Sequence, residues 1–278
     1  MVRILAGLGI RRVRLTGGEP LVRKGLPDLV RRLKEIDGIQ EILLTTNGIL
    51  LKALAQELKE AGLEKINIHL DTLSPDKFKQ ITRWGNIEDL FAGIEAAKRA
   101  GFSPIKLNAV IQRGVNEDEV EDLLRFAVSN GLILRLIELM PIGEACGMMS
   151  SAYASLESIR RRLEEKYTLL PAGLRVGSGP ARYYQVEELN TVVGFITPVS
   201  QPFCQGCNRI RISSDGRFQD CLAYDGSFSL RDLLRDSCTT DERIATEVVK
   251  LIGGKRESHN DFVQEERIQT PCMYGIGG

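Results

Sequence analysis

Three cysteines in the C-terminal half have the spacing most typical of metal chemistry. Cys204 and Cys207 are two residues apart and Cys221 follows, giving the pattern C-x2-C-x13-C. Two thiolates at this spacing can bind one metal centre from a tight turn, and a hairpin at Asp215 and Gly216 would return the third to it. Three ligands favour a [4Fe-4S] cluster whose fourth iron stays open to a small molecule, since structural zinc usually takes four ligands.

Structural zinc is the competing interpretation of this region. Cys238 would then be the fourth ligand beside Cys204, Cys207 and Cys221, and the region would be a noncatalytic module. The spacing alone leaves both sites open. Cys146, Cys238 and Cys272 otherwise show no ligand spacing and are predicted to be plain thiols.

Two arginines follow the second cysteine of this pattern. Arg209 and Arg211 alternate along a predicted strand, so both would point to the same face beside the cysteines. Two guanidinium groups next to an open metal site suit a ligand that carries phosphate. A solvated edge strand that is protected from aggregation by its charge fits the same pattern.

A second set of polar residues lies at or near the ends of predicted strands in the N-terminal half. The TGGEP turn at 16–20 has paired glycines that let the backbone approach a ligand, and Glu19 offers an acceptor. In a parallel barrel the C-terminal strand ends carry the site, so such residues predict a pocket lining. The further members are Thr45, Thr46, Asn47, His69, Asp71, Lys106, Asn108, Arg135 and Glu138.

Several of these residues have an ordinary structural interpretation when taken singly. His69 lies within an apolar strand, where a hydrogen-bonded core histidine is common. Met140 is a usual core filler, and Lys106 can extend its ammonium group to water from a strand edge. Only their grouping at strand ends favours a site.

The elements that must position these residues alternate between short apolar strands and longer amphipathic helices. This alternation predicts repeated βα units and a parallel sheet over residues 1–145, with five units visible and a sixth missing from the front. The second half, 146–278, is predicted as an α+β domain with a helix at 156–166 and strands at 183–187 and 192–198. In the first half we predict strands at 12–16, 41–46, 65–71, 105–112 and 132–140, and helices at 26–36, 50–61, 87–100 and 117–130.

Composition excludes several classes of protein. Lys plus Arg and Asp plus Glu both total 37, so the formal net charge is zero, and a nonspecific DNA or RNA binder should be basic. No apolar run reaches the ~18 residues of a membrane span, and the first residues do not form a signal peptide. We therefore expect a cytoplasmic protein without a nucleic-acid or membrane partner.

Five motifs, which occur in order, resemble the molybdenum cofactor biosynthesis protein A family. These proteins are the GTP 3',8-cyclases of the radical S-adenosylmethionine (SAM) superfamily. The motifs are LTGGEPLVR at 15–23, TTNG at 45–48, INIHLD at 66–71, KLN at 106–108 and PFCQGCNRIR at 202–211. The resemblance covers essentially the whole chain and ends, as the family does, in Gly277 and Gly278.

The resemblance implies an α/β fold, a partial (β/α)6 TIM-like barrel followed by a cluster-binding domain. An N-terminal [4Fe-4S] cluster would cleave SAM to a 5'-deoxyadenosyl radical, which takes the 3' hydrogen of GTP. The product would be (8S)-3',8-cyclo-7,8-dihydroguanosine 5'-triphosphate, in the first step of molybdenum cofactor biosynthesis. The implied partners are GTP, SAM, a reductant and the next enzyme of the molybdopterin pathway, and a homodimer stays open.

The resemblance also assigns individual residues. A C-terminal [4Fe-4S] cluster would be held by Cys204, Cys207 and Cys221, and its open iron would hold the guanine. The implied SAM contacts are Gly18, His69 and Met140. The implied GTP contacts are Arg14, Thr45, Lys106, Arg209 and Arg211, with Arg12 and Arg135 as phosphate helpers.

Two departures from the family pattern change what we expect of this chain. The family usually has Ser where this sequence has His69, which can still donate a hydrogen bond to SAM. No Cys precedes Cys146, so the C-x3-C-x2-C motif for the SAM-cleaving cluster is absent. We therefore expect that the chain lacks an N-terminal segment bearing this motif and, as written, does not start the reaction.

Overall fold

The computed structural model describes residues 1–173, 179–224, 226 and 228–255. The predictions on Cys272 and on the Gly277–Gly278 end lie outside these residues. The described helices are α1 (Val2–Gly7), α2 (Leu26–Lys34), α3 (Leu51–Glu60), α4 (Pro75–Thr82), α5 (Ile87–Arg99), α6 (Val120–Ser129), α7 (Met149–Ala152), α8 (Leu156–Glu164), α9 (Leu230–Arg235) and α10 (Asp241–Gly253). The described strands are β1 (Arg12–Leu15), β2 (Glu41–Thr46), β3 (Lys65–His69), β4 (Lys106–Ile111), β5 (Ile133–Glu138), β6 (Leu169–Pro171), β7 (Arg182–Val186), β8 (Thr191–Ile196), β9 (Arg211–Ile212), β10 (Arg217–Gln219) and β11 (Phe228–Ser229).

One eight-stranded sheet forms the centre of the molecule. Its order is β1-β2-β3-β4-β5-β8-β7-β6, and neighbours from β1 through β5 to β8 run parallel. This confirms the predicted parallel βα repeat. The sixth parallel strand, β8, comes from the half that we predicted as a separate α+β domain. The sheet is therefore continuous across residue 145, and the division into domains there stays a prediction.

The sheet has one apolar and one polar face because side chains alternate along each strand. Ile42, Leu44, Ile66 and Ile68 are fully buried and belong to the main core, which the helices cover. Each such buried aliphatic side chain contributes about 1.5–3 kcal/mol to folding. The intervening residues form what we call the polar face, which carries Arg14, Thr45, Asn67, Lys106, Asn108 and Arg135.

Helix α4 is an element that the sequence prediction missed. It begins at Pro75, and the side chain of Ser74 caps it by accepting a hydrogen bond from the Lys77 amide at 3.4 Å. Serine before proline is a typical helix start, but eight residues are too few for a clear apolar period. None of the described helices has both the length and the apolar character needed to cross a membrane.

A smaller sheet with the order β11-β10-β9 lies in the C-terminal part. The predicted hairpin is confirmed, with Gly216 at φ +82° in the turn between β9 and β10. Leu5 of α1 packs in one apolar cluster with Phe218 of β10 and with Ile244 and Val248 of α10. The first helix of the chain thus packs against its last described helix.

Candidate functional site

The polar face of the sheet brings together the basic residues predicted from the first half. Thr45 pairs in register with Asn67, and Asn67 with Lys106, across β2, β3 and β4. Arg135 of β5 pairs with Asn108 on one side and with Gly194 of β8 on the other. Lys106 begins its strand and Arg135 lies in mid-strand, so both lie deeper along the face than the strand ends where we expected them.

Arginines from distant strands interact across the polar face. Arg14 and Arg135 are four strands apart, which would be about 19 Å in a flat sheet. Charges that far apart are screened in solution, yet the charge of Arg135 lowers the pKa of Arg14. This interaction agrees with the predicted partial barrel, in which the polar face lies inside.

Hydrogen bonds fix the basic side chains on this face. Arg14 Nη1 donates to Thr45 Oγ1 at 3.2 Å, and Asn67 Nδ2 donates to the same hydroxyl at 3.3 Å. Arg135, which is buried, donates from Nε to Asn108 Oδ1 at 2.8 Å. These partners are neutral, so the positive charges of the two arginines are held in place without being cancelled.

Burial and mutual repulsion lower the pKa values of these cations. Burial is the largest cause for Lys106, followed by the charges of Arg135, Lys65 and Arg14, and its pKa falls to about 8. Burial and then the charges of Arg135 and Arg209 lower the pKa of Arg14 to about 10. In such a cluster each cation is destabilised by its neighbours, and a bound anion would relieve this repulsion.

Arg12 and Lys65 lie at the edge of this cluster, and both form ion pairs with Glu41. Arg12 Nε is 3.3 Å from Glu41 Oε2, and Lys65 pairs with the other carboxylate oxygen. The charge of Glu41 partly offsets the repulsion felt by Arg14 and Lys106. Arg12 thus forms an ion pair within the protein, and its role as a phosphate helper stays a prediction.

The three cysteines lie in two loops next to the small sheet, at 197–210 and 220–224, which we call the cysteine loops. Cys204 opens a 3-10 turn, and the Cys207 amide donates to the Cys204 carbonyl at 2.9 Å. Cys221 comes two residues after β10, which pairs Gln219 with Arg211. The hairpin therefore returns the third cysteine toward the turn that holds the first two.

Arg211 connects these thiols electrostatically. Burial, and then the charge of Arg209, lower its pKa to about 10, while Cys221 and Cys207 both act to raise it. The prediction that Arg209 and Arg211 alternate along one strand is wrong, because β9 begins only at Arg211. The guanidinium carbon of Arg209 lies 5.3 Å from the Phe203 ring centre. Arg209 also lowers the pKa of Arg14, so the loop segment that carries Arg209 lies near the polar face.

The chemistry of the three thiols fits an iron–sulfur cluster. Burial raises the pKa of the Cys207 thiol, but hydrogen bonds and the charge of Arg209, together with Lys255, bring it down to about 7. Among the described residues, no three His, Cys, Asp or Glu side chains converge closely enough to hold a single metal ion. Ligands of a cluster bind different iron atoms and need not converge in that way.

The residues predicted to contact SAM lie along the C-terminal ends of three strands. Gly18 is exposed in the turn after β1, His69 ends β3, and Met140 is half-buried two residues after β5. His69 Nε2 is 2.8 Å from Asp71 Oδ2. Burial lowers the pKa of His69, but the charge and hydrogen bond of Asp71 outweigh it and raise that pKa above its ordinary value.

Glu19 of the TGGEP turn accepts three hydrogen bonds from the protein itself. Its Oε1 accepts from Thr46 Oγ1 at 2.7 Å and from the Leu21 amide at 2.9 Å, and its Oε2 accepts from the Asn47 amide at 2.7 Å. The carboxylate therefore fixes the turn against the end of β2.

Comparison with known proteins finds relatives for both halves of the chain. Residues 1–127 match the radical SAM superfamily, and residues 132–261 match the family described as Molybdenum Cofactor Synthesis C. The GTP 3',8-cyclase of Moorella thermoacetica is 45% identical over 278 residues, which is 100% of this chain and 85% of that protein. The GTP 3',8-cyclase of Alkaliphilus metalliredigens is 42% identical, again over 100% of this chain and 85% of that protein.

The chain belongs to the GTP 3',8-cyclase family.

These matches confirm the resemblance found in the sequence, and a solved structure adds a likeness of fold. The structure of SuiB from Streptococcus suis superposes with a TM-score of 0.57 over 95% of this chain and 59% of that one. At 13% identity that likeness shows the fold alone. In this chain the basic residues come from both matched regions: Arg14 and Lys106 from the first, Arg135 and Arg209 from the second.

Sequence reasoning missed residues that support the site from the second half. The Tyr183 hydroxyl is hydrogen-bonded to Arg135, and Gly194 lies beside both. A Cβ on Gly194 would lie 2.9 Å from Tyr183 Cε1 and 3.0 Å from Arg135 Cγ. The missing side chain at 194 thus makes room for Arg135, and no local pattern marks this glycine because the contact depends on strand pairing.

Glu138 is a further residue that supports the candidate site. Its buried carboxylate accepts from the Tyr153 hydroxyl at 3.2 Å and from the amides of Val199 and Ser200 at 3.1 and 2.9 Å. The segment at Val199 and Ser200 leads from β8 to Cys204. Glu138 therefore fixes the start of the cysteine loops to the barrel.

Proposed function

We propose that this chain carries, within the barrel, the GTP site for the conversion of GTP to (8S)-3',8-cyclo-7,8-dihydroguanosine 5'-triphosphate, and that these 278 residues by themselves do not start the reaction. One observation carries the proposal: Arg14, Lys106 and Arg135 of the barrel share one positive field with Arg209 of the cysteine loops. A triphosphate carries the negative charge that such a field lacks, and arginine forks match phosphate oxygens. Relatives across the full chain named GTP 3',8-cyclase support this choice of anion.

Within this proposal each residue has a role. Arg14, Lys106, Arg135 and Arg209 bind the phosphates, and Thr45, which accepts from Arg14, orients that guanidinium. Arg211 lies between the thiols and the nucleotide. Gly18, His69 and Met140 line the place for SAM.

A [4Fe-4S] cluster would be held by Cys204, Cys207 and Cys221, leaving one iron for the guanine. The SAM-cleaving chemistry of the family requires a second cluster, and its C-x3-C-x2-C thiolates are not among these 278 residues. A reductant and the next enzyme of the molybdopterin pathway complete the set of partners, in the cytoplasm.

Anaerobic reconstitution with iron and sulfide, followed by metal analysis and equilibrium binding of GTP, tests the proposal. We expect ~4 iron atoms per chain, the content of one [4Fe-4S] cluster, and GTP binding that weakens about tenfold or more in Arg135→Met. Arg99→Met, a solvent-facing position at the end of α5, is the control and should bind as the wild type does. Stoichiometric colourless zinc that also involves Cys238, or equal GTP binding by all three proteins, would contradict the proposal.

A further inference from the structure

Lys255 lies two residues beyond α10 and points back to the cysteine loops. Its Nζ donates to the Arg209 carbonyl at 2.8 Å and to the Cys207 carbonyl at 3.0 Å. The same atom is 3.4 Å from Cys207 Sγ. No part of the site described above assigns a role to this lysine.

The number of contacts matches the chemistry of the group. An ammonium has three N–H donors and no acceptor, and within the described part of the chain the three contacts of Lys255 lie on residues 207–209. Lys250, on the same helix, pairs with Glu247 at 2.8 Å and is exposed, as is usual for a surface lysine. Lys255 is instead half-buried against a predicted cluster ligand.

We propose that Lys255 is a positioning residue that holds the Cys207 thiolate and favours reduction of the C-terminal cluster. The inference rests on the proposed function, because it requires a cluster on Cys204, Cys207 and Cys221.

The two carbonyl contacts account for the positioning part. They tie the backbone on both sides of Asn208 to one point, so the direction of the Cys207 side chain is fixed relative to the end of α10. That helix is itself held by Val248, which packs in the same cluster as Leu5 of α1. The loop is thereby anchored to a rigid part of the fold.

The contact with sulfur accounts for the redox part. Reduction adds one electron from the reductant to the cluster and moves no atom, so the negative charge on the cluster and its sulfur ligands increases. A hydrogen-bonded cation beside a ligand sulfur stabilises that added charge, and hydrogen bonds to sulfur are known determinants of cluster potential. Lys255 therefore raises the reduction potential of the cluster.

An EPR-monitored redox titration of the reconstituted 278-residue chain tests this. In Lys255→Gln, which keeps N–H donors but loses the charge, we expect reduction to become at least about tenfold less favourable, a shift of about 59 mV for one electron. Lys255→Met should shift at least as far in the same direction, and Lys255→Arg should stay close to the wild type. Lys250→Met removes a positive charge from the same helix without touching the loop and should not shift the potential.

The outcomes separate the two proposals. If the wild type takes up no iron and sulfide, the proposed cofactor is wrong and the role of Lys255 falls with it. If the wild type loads and Lys255→Gln titrates at the wild-type potential, only the inference about Lys255 is wrong. Should Lys255→Met fail to load, the comparison of Lys255→Gln with Lys255→Arg still decides, since equal potentials in those two variants contradict a role for the charge.

Discussion

At the scale of single residues, the site depends on cations that are held by neutral partners. Arg14 is oriented by Thr45 and Arg135 by Asn108, so their charges stay available to a ligand. Lys106 carries the lowest pKa of these groups, about 8, because burial and three neighbouring cations disfavour its proton. Its charge state therefore changes close to neutral pH.

The lowered pKa of Lys106 predicts a pH dependence of nucleotide binding. Below pH 8 the ammonium is charged and binds phosphate, and as the pH rises through about 8 it loses its proton, so GTP affinity should fall. Lys106→Met should bind GTP about 10–100-fold more weakly at pH 7, the loss of one charge-assisted hydrogen bond, and should lose this step in affinity. Isothermal titration calorimetry between pH 6.5 and 9 measures both.

Lys98→Met provides the matched control for that titration. Lys98 lies on α5 and pairs with Glu95 at 2.8 Å on the surface, away from the polar face. It should reproduce the affinity and the pH profile of the wild type. A Lys106→Met profile that still falls through pH 8 would show that another group titrates.

At the scale of elements, β8 is the strand on which the geometry of the site depends. It pairs with β5, which places Gly194 beside Arg135, and it leads into the segment that Glu138 holds. Strand β8 thus leaves room for the Arg135 side chain and fixes where the cysteine loops begin.

The close contact at Gly194 predicts the effect of adding one methyl group. Gly194→Ala should push Tyr183 and Arg135 apart, cost about 1–3 kcal/mol of unfolding free energy and weaken GTP binding. Urea denaturation and GTP titration measure the two effects. Gly173→Ala, where no described residue lies within 4 Å of the added Cβ, should change neither by a comparable amount. An unchanged GTP affinity in Gly194→Ala would show that Arg135 does not belong to the GTP site.

The sequence predicts the elements better than their assembly. Strand β2 was predicted at its observed bounds, and the alternation of Asn67, His69, Lys106 and Asn108 with apolar residues is visible without a structure. The pairing of β8 with β5 was not predictable, because nothing local identifies the partner of a parallel strand. The place of Arg209 outside β9 was missed for a similar reason, since strict alternation predicted a longer strand than the loop allows.

At the scale of the whole molecule, the first and second halves share one sheet and one positive field. Helix α1 packs on α10, and Lys255 ties the end of α10 to the cysteine loops. Nucleotide binding and the cluster are therefore expected to respond to each other.

The cysteine content of the chain predicts a limit on its chemistry. A polypeptide of these 278 residues, reconstituted anaerobically and supplied with SAM and dithionite, should form no 5'-deoxyadenosine, because no Cys precedes Cys146. The cyclase of Moorella thermoacetica, assayed alongside by chromatography, provides the positive control. Product above the level without protein would contradict this expectation.

The most direct test of a single site shared by the barrel cations and the cysteine cluster is a GTP titration of the reduced, reconstituted chain followed by EPR. We expect GTP to change the cluster spectrum, with a half-saturating concentration that rises at least about tenfold in Arg14→Gln. A spectrum that stays unchanged while GTP binds, or an equal response in Arg14→Gln, would contradict the shared site.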